Sequence, residues 1–213
     1  SQLGKKYAKR ISTTIDIQEI EGDKLEKITN MLTRSQDTLK KLKIVGLGRE
    51  NVDIKSGVIR KIAENSMNLT SLDISHNNIG YTGARLIAEN LTNLTNLTSL
   101  DISWNNITNR GVIPIVSKLM NLTSLNVNYN LIGPEGARLI AENLTNLTSL
   151  YISGNEIGPE GARAIANAIE MGKLRNLTSL DISVNEIGDI GANAIFEKLT
   201  NLTSLDISHN GIG

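Results

Sequence analysis

The feature that most constrains this chain is a repeated pattern of aliphatic residues and one asparagine. The segment 121–132 returns at 68–79, 96–107, 146–157, 176–187 and 201–212. Counting the first leucine of each copy as repeat position 0, aliphatic residues stand at positions 0, 3, 5 and 10, and asparagine stands at position 8. Six copies without an exception predict one structural unit repeated along the chain.

Each copy of the pattern predicts one strand followed by one helix. Alternation in Leu72, Asp73 and Ile74 directs the two aliphatic side chains into a core and Asp73 to the opposite face. Further along the unit, apolar residues recur at helical spacing and predict a helix with one buried face. In three copies these residues are Ala84, Ile87, Ala88 and Leu91, then Ala137, Ile140, Ala141 and Leu144, then Ala162, Ile165, Ala166 and Ile169.

The asparagine at position 8 marks the point where the strand ends and the chain turns. A buried amide must find hydrogen-bond partners, and stacked amides can bond backbone groups of their own and the next repeat. Glycine at 80, 133, 158 and 188 is expected to permit a positive φ or a close approach in the same turn. We expect a structural role for all six asparagines, which are Asn77, Asn105, Asn130, Asn155, Asn185 and Asn210.

The spacing L-x-x-L-x-I-x-x-N-x-I resembles that of leucine-rich repeat proteins. The longer unit, with its helical stretch, is similar to the ribonuclease-inhibitor-like subclass of bacterial type. This resemblance covers residues 39–213 well and 12–38 faintly. It implies an α/β solenoid in the form of a horseshoe, with a parallel sheet on the concave face and helices on the convex face.

We divide this single continuous solenoid into residues 1–67, an N-terminal cap with degenerate repeats, and residues 68–213, the regular repeats. Within the first part, residues 3–10 and a segment from Lys24 capped by Asp23 are predicted to be helical. Leu47 stands where the repeat requires asparagine, as is expected near the end of a stack. Pro114 is expected to delay or shorten the helix of its repeat.

No C-terminal cap is expected, because the sequence stops just after a strand and a turn. The last repeat would leave Leu202, Leu205 and Ile207 covered on one side only. We therefore expect either that the natural chain continues past Gly213 or that this end associates with another chain.

Composition excludes several kinds of chemistry. Without cysteine there are no disulfides or thiolate ligands, which favours a cytoplasmic or translocated protein over a disulfide-bonded extracellular one. The two histidines lie far apart and no catalytic motif is present, so we predict no enzyme activity, no cofactor and no metal site. The basic residues have few aromatic neighbours and no apolar run is long enough for a bilayer, so neither nucleic-acid binding nor a membrane span is predicted.

Positions 2, 4, 6 and 7 of each repeat are free to serve function, and most carry small polar residues. The departures cluster in the middle repeats, at Trp104, Tyr129 and Tyr151, with Asn126 and Asn128 between them. Since neighbouring strands lie about 4.8 Å apart, these rings can form one patch, and Trp and Tyr are common interface anchors. An ordinary surface carrying a few aromatic residues, or a half-buried position 7, are the alternatives. The predicted acidic rim consists of Asp73, Asp101, Asp181 and Asp206.

Three classes of function are compatible with these residues. The first is a protein-binding module that uses the concave face, as the resemblance implies, within a larger effector. The second is a regulator of a small GTPase, for which Arg110, expected in the loop after Ile107, is the candidate arginine. The third is a structural or adhesive spacer, which would have no saturable partner.

Overall fold

The computed structural model describes residues 12–198 and 201–213, and in them strands and helices alternate along the chain. The strands are β1 (Ser12–Asp16), β2 (Lys41–Val45), β3 (Ser71–Asp73), β4 (Ser99–Asp101), β5 (Ser124–Asn126), β6 (Ser149–Tyr151), β7 (Ser179–Asp181) and β8 (Ser204–Asp206). The α-helices are α1 (Lys24–Ser35), α2 (Val52–Asn65), α3 (Gly80–Asn90), α4 (Thr108–Lys118), α5 (Gly133–Asn143), α6 (Gly158–Glu170) and α7 (Gly188–Lys198).

The strands form one parallel sheet in which sequence order and spatial order are the same. Pairing aligns equal repeat positions, so that Leu72 lies opposite Leu100 and Leu100 lies opposite Leu125. Each helix packs beside the helices of neighbouring repeats. Because a helix is about 10–12 Å wide and strands lie about 4.8 Å apart, the stack curves with the sheet on its concave side. The predicted α/β solenoid is confirmed.

The core runs between the sheet and the helices along the whole stack. Aliphatic residues at positions 0, 3, 5 and 10 are buried in the regular repeats up to β7. The predicted helical stripes are buried as well, apart from Ile169, which is partly exposed. In the N-terminal part, Val58, Ile59 and Ile62 of α2 are also buried. The sequence pattern therefore predicts almost every buried residue of the core.

The asparagine at position 8 joins each repeat to the one before it. Oδ1 of Asn105 accepts the backbone N–H of Asn77 at 2.9 Å and that of Ile79 at 3.3 Å. Its Nδ2 donates to the carbonyl of Ile74 at 2.9 Å and to that of Ile102 at 3.1 Å. All six asparagines are buried. The Oδ1 atoms of the five from Asn105 to Asn210 each accept two backbone N–H groups, and that of Asn77 accepts one, from Leu47. The predicted structural role and the bonds within the same repeat are confirmed, but the inter-repeat partners lie in the preceding repeat rather than the next one.

This direction of bonding explains how the degenerate repeat tolerates Leu47. Its backbone N–H donates to Oδ1 of Asn77 at 2.8 Å, and Nδ2 of Asn77 donates to the carbonyl of Ile44 at 2.8 Å. The turn is therefore satisfied from the following repeat, although it has no asparagine of its own.

The recurrent Asn-Leu-Thr sequence forms a second inter-repeat connection at the start of each strand. The hydroxyl of Thr148 donates to the carbonyl of Thr123 at 3.0 Å, and that of Thr123 donates to Thr98 at 3.2 Å. Nδ2 of Asn146 donates to the carbonyl of Met120 in the preceding repeat at 3.1 Å. The sequence is therefore explained by hydrogen bonds that align consecutive turns.

The prediction for Pro114 is wrong. It lies inside α4, yet this helix has 11 residues, the same length as α3 and α5. A proline at this point removes the hydrogen bond to the carbonyl four residues earlier. That carbonyl belongs to Arg110, an exposed residue, while Val112, Ile115 and Val116 are buried and hold the helix against the sheet.

The N-terminal elements follow the prediction where they are described. Helix α1 begins at Lys24, and the Asp23 carboxylate accepts the backbone N–H of Glu26 at 3.0 Å. The helix predicted over 3–10 lies outside the described residues. At the other end, Leu202, Leu205 and Ile207 are only partly buried, as expected for the last repeat.

Replacement of Asn130 by Ala tests the amide connections. The change leaves the buried N–H groups of Asn105 and Ile107 without their acceptor. Since each of the two stranded groups costs about 1–3 kcal/mol, we expect a loss of about 2–6 kcal/mol in the free energy of unfolding, measured by urea denaturation. The control is Asn109→Ala, an exposed residue of α4. Equal stability of the two variants would contradict a stabilising role for the asparagine hydrogen bonds.

Candidate protein-binding surface

A row of stacked rings lies in the turns that follow β3, β4 and β5. His76, Trp104 and Tyr129 all stand at position 7, and each adopts a left-handed backbone conformation, with φ of 58°, 56° and 55°. The His76 and Trp104 ring centroids are 5.3 Å apart with planes inclined by 13°. The Trp104 and Tyr129 centroids are 4.1 Å apart with planes inclined by 19°. We call these three residues the aromatic stack.

Backbone hydrogen bonds between repeats hold the aromatic stack in register. The N–H of His76 donates to the carbonyl of Ser103 at 3.0 Å, and that of Trp104 donates to the carbonyl of Asn128 at 2.9 Å. Equivalent turns therefore stack at the spacing of the strands. Because this spacing is close to that of stacked aromatic rings, rings at equal positions contact each other.

Gly154 is the next residue in the row and makes room for Tyr129. A Cβ atom at Gly154 would lie only 2.5 Å from two carbon atoms of the Tyr129 ring. Conformation alone does not require glycine, because Val184 and His209 occupy the same repeat position with φ of 55° and 54°. Glycine is needed there for space, and it lets the phenol ring lie over the following turn.

The aromatic stack remains accessible at its edges. Trp104 is 49% exposed and Tyr129 is 37% exposed, although each ring covers a face of its neighbour. The covered part of each ring is therefore the face that contacts its neighbour in the aromatic stack. A preformed stack with exposed edges is suited to contact with another molecule.

Tyr151 occupies a different part of the surface. It lies in β6, opposite Asn126 of β5 and Asp181 of β7, so it stands on the sheet at position 4. Among the described residues, the ring contacts join His76, Trp104 and Tyr129 and do not include Tyr151. Sequence reasoning missed His76, although its place at position 7 was a usable signal.

The acidic residues at position 4 stabilise the turns. Oδ1 of Asp101 accepts both the backbone N–H of Ser103 at 2.9 Å and its hydroxyl at 2.7 Å. This contact from an aspartate to a residue two positions later is a common turn motif. Asp73 and Asp181 make the same pair of bonds, and Asp206 bonds the backbone N–H of Ser208. These four carboxylates are therefore held in fixed orientations along the face.

Charge on this face is partly compensated at its N-terminal end. Nζ of Lys43 lies 2.6 Å from Oδ2 of Asp73. Partial burial raises the pKa of Asp73, but hydrogen bonds from Lys43 and Ser75 outweigh it and hold the pKa below its ordinary value. Hydrogen bonds from the Ser208 hydroxyl and backbone also lower the pKa of Asp206. Both carboxylates are therefore ionised at neutral pH and contribute negative charge.

Asn128 compensates for the aromatic residue at position 4 of the next repeat, and Asn126 supplies the acceptor in its own repeat. Tyr151 has no acceptor for the N–H of Ser153, and Oδ1 of Asn128 accepts that N–H instead at 2.7 Å. Asn126 accepts the N–H of Asn128 at 3.0 Å and donates to Oδ2 of Asp101 at 2.9 Å. Both amides thus have structural partners, and the exchange of Ser for Asn at position 6 is linked to Tyr151.

Arg110 does not lie in a loop, as the sequence interpretation expected. It stands in the first turn of α4, exposed to solvent. The prediction of a loop arginine is wrong because the left-handed residue Thr108 already begins the helix.

Within the described part of the chain, no cluster of three or more His, Cys, Asp or Glu side chains is arranged to hold a metal ion.

Comparison with protein families identifies the class. The model described as "Leucine Rich repeat" matches residues 65–88, 93–116, 118–141 and 143–166. A second, "Leucine Rich repeats (2 copies)", matches residues 175–213. These matches together cover more than half of the sequence, so the chain belongs to the leucine-rich repeat proteins. A search of curated protein sequences found no match.

Solved structures support the same fold. The leucine-rich repeat-containing protein LegL7 from Legionella pneumophila is 21% identical, with a TM-score of 0.63 over 93% of this chain and 66% of that one. A TLR13–ssRNA13 complex is 18% identical, with a TM-score of 0.52 over 95% of this chain and 33% of that one. The chain thus spans less than two thirds of either protein, and these likenesses concern the fold alone.

No helix within the described residues combines the length and the apolar character that a membrane crossing requires.

Replacing Gly154 by Ala tests the packing of the aromatic stack. The added methyl group must displace the Tyr129 ring and uncover one face of Trp104. Because Trp104 is the one tryptophan of the chain, we expect a change in tryptophan emission intensity and wavelength. Val184→Ala, at the same position outside the stack, should leave the emission unchanged. Superimposable spectra for Gly154→Ala and the wild type would refute this packing.

A double-mutant cycle tests the link between Asn128 and Tyr151. Asn128→Ser alone removes the acceptor of the Ser153 N–H, which should cost about 1–2 kcal/mol in the free energy of unfolding. Combined with Tyr151→Asp, the same change should cost little, because Asp at position 4 supplies the usual acceptor. Chemical denaturation of the two single variants and the double variant gives the interaction energy. Additive effects would show that the two sites are independent.

Proposed function

We propose that this chain is a protein-binding module whose contact surface combines the concave sheet face with the aromatic stack. Leucine-rich repeats generally mediate protein–protein interaction. The observation that carries the proposal is the exposed, preformed pair of Trp104 and Tyr129. Aromatic anchors of this kind supply much of the binding energy at interfaces.

Preorganisation supports this assignment. Ordering a large side chain on binding costs about 0.5–1.5 kcal/mol, and rings already fixed by mutual stacking avoid much of that cost. Asp101 and Asp181, fixed by their serine contacts, supply negative charge on the same face. The proposed partner is therefore a protein that brings apolar area to the rings and positive charge to the sheet. In this proposal Tyr151, Asn126, Asn128, Asp73 and Asp206 are contact residues on the sheet.

We further propose that the module belongs to the ribonuclease-inhibitor-like subclass and is the recognition part of a larger, cytoplasmic or translocated protein. The subclass is supported by the alternation of one strand and one α-helix per regular repeat. The proposal of a larger protein is supported by the likeness of fold to LegL7, a bacterial protein whose own chain extends beyond the matched region. No observation on the described residues favours GTPase regulation, since the candidate Arg110 lies on a helix.

Alanine at both Trp104 and Tyr129 should remove the anchor while leaving the solenoid folded. A hot-spot residue contributes about 2 kcal/mol or more, so we expect affinity for a partner to fall at least about 30-fold. A partner recovered with immobilised wild-type chain would be purified, and its affinity measured by calorimetry. Circular dichroism would verify the fold of each variant.

The matched control replaces Val184 and His209 by Ala, at the same repeat position outside the aromatic stack. This control should bind like the wild type. Unchanged affinity of the Trp104/Tyr129 variant would remove the proposed anchor. Failure of the wild-type chain to bind any partner saturably would favour a structural spacer instead.

A further inference from the structure

The aromatic stack has an open end at His76. In the preceding repeat, position 7 is Gly46, which has the same left-handed conformation, with φ of 85°, but no side chain. No ring from that repeat can therefore cover His76 on the side away from Trp104. A cavity of about 340 Å³ occupies this place, lined by Gln18, Gly46, Gly48, Arg49 and His76.

We propose that this cavity receives an aromatic side chain, tyrosine or tryptophan, from the protein partner, so that the stack gains one ring on binding. We call the cavity the His76 slot. The inference rests on the proposed protein-binding function and specifies the chemistry of the partner.

The dimensions of the His76 slot suit a planar group. Its walls come from the chain after β1 and the turn after β3, whose backbones are two strand spacings or about 9–10 Å apart, and the Gln18 side chain reaches over Gly46 into this gap and narrows it. A ring in van der Waals contact on both faces requires about 7–8 Å. The volume lies near the lower end of ligand pockets, roughly 300–1,000 Å³, which fits one aromatic side chain better than an extended ligand.

The floor of the His76 slot is the backbone of Gly46, against which the Gln18 side chain packs. A Cβ atom at Gly46 would lie 2.8 Å from Cγ of Gln18 and 2.9 Å from Oδ1 of Asp16, so a larger residue there would displace these side chains and be strained at the positive φ. The Gln18 amide donates to the Gly46 carbonyl and, at 3.3 Å, to the Glu50 carboxylate. Glu50 is in turn paired with Lys24. The wall opposite His76 is therefore fixed before any ligand enters.

The groups around the His76 slot favour a neutral, electron-rich ring. The imidazole of His76 offers a free face for stacking. Arg49 is exposed and has no ion pair among the described residues, so its guanidinium is available for a cation–π contact. The carboxylates of Asp16 and Glu50 lie close by and oppose an anionic ligand. Tyrosine and tryptophan meet both conditions.

The two histidines of the chain provide the test, because His76 lines the slot and His209 holds the same repeat position in the last repeat. N-acetyl-tyrosinamide is titrated into the full chain at constant pH, and the imidazole proton signals are followed by NMR. His209→Ala assigns the two signals. The His76 signal should move upfield in a saturable way, because the bound ring lies over it, while the His209 signal stays in place. N-acetyl-leucinamide should give no saturable shift.

Gly48→Phe provides the matched variant. A Cβ atom at Gly48 has no neighbour closer than 3.9 Å, and its φ lies outside the left-handed region, so the fold should accept a side chain that fills the slot. We expect this variant to lose the response to the probe and to bind the partner at least tenfold more weakly. Gly48→Ala, which leaves the slot open, should retain both.

The outcomes separate the slot from the protein-binding proposal. Three results would overturn the proposal of the His76 slot. They are a His76 signal that does not shift with the probe, equal shifts of both histidine signals, or a Gly48→Phe variant whose His76 signal still responds to the probe. If Gly48→Phe keeps its partner affinity while the Trp104/Tyr129 variant loses it, the slot fails and the protein-binding surface stands. If neither variant loses affinity, both proposals fail.

Discussion

The buried amide at position 8 is the contact on which the rest of the structure depends. Its oxygen accepts two backbone N–H groups of the preceding repeat, and its nitrogen donates to carbonyls of both repeats, as Asn130 does with Ile102 and Val127. An amide without these partners would be costly to bury, so the asparagine is stable only when two repeats are in register. Nearest-neighbour coupling of this kind is what makes a solenoid cohere.

The same register creates the candidate site. Because every turn adopts the same backbone conformation, residues at position 7 project at a regular spacing, and that spacing is near the separation of stacked rings. The scaffold therefore converts three substitutions at one repeat position, His76, Trp104 and Tyr129, into a continuous aromatic surface. Glycine at the same position defines its ends, with Gly154 beneath the last ring and Gly46 beside the first.

The repeat pattern sufficed to predict the strands, the helices and nearly all of the core, because burial at fixed positions is what the pattern encodes. It did not give the direction of the asparagine bonds, since an amide can satisfy its partners toward either neighbour. Pro114 was misjudged because burial of Val112 and Ile115 outweighs one lost hydrogen bond. The link between Asn128 and Tyr151 was hidden, because it requires knowing that the N–H at position 6 needs an acceptor.

Surface changes in this chain are therefore constrained by the turns beneath them. Tyr151 stands where Asp73, Asp101, Asp181 and Asp206 cap the turns of their own repeats, and Asn128 supplies the missing acceptor from one repeat away. The aromatic residue at position 4 is thus tolerated because its structural cost is met by a second change on the same face. A surface on which Tyr151, Trp104 and Tyr129 depart from the repeat, with a compensating asparagine between them, is one where contact chemistry and turn stability are satisfied together. That combination is what distinguishes the middle repeats from the uniform ones on either side.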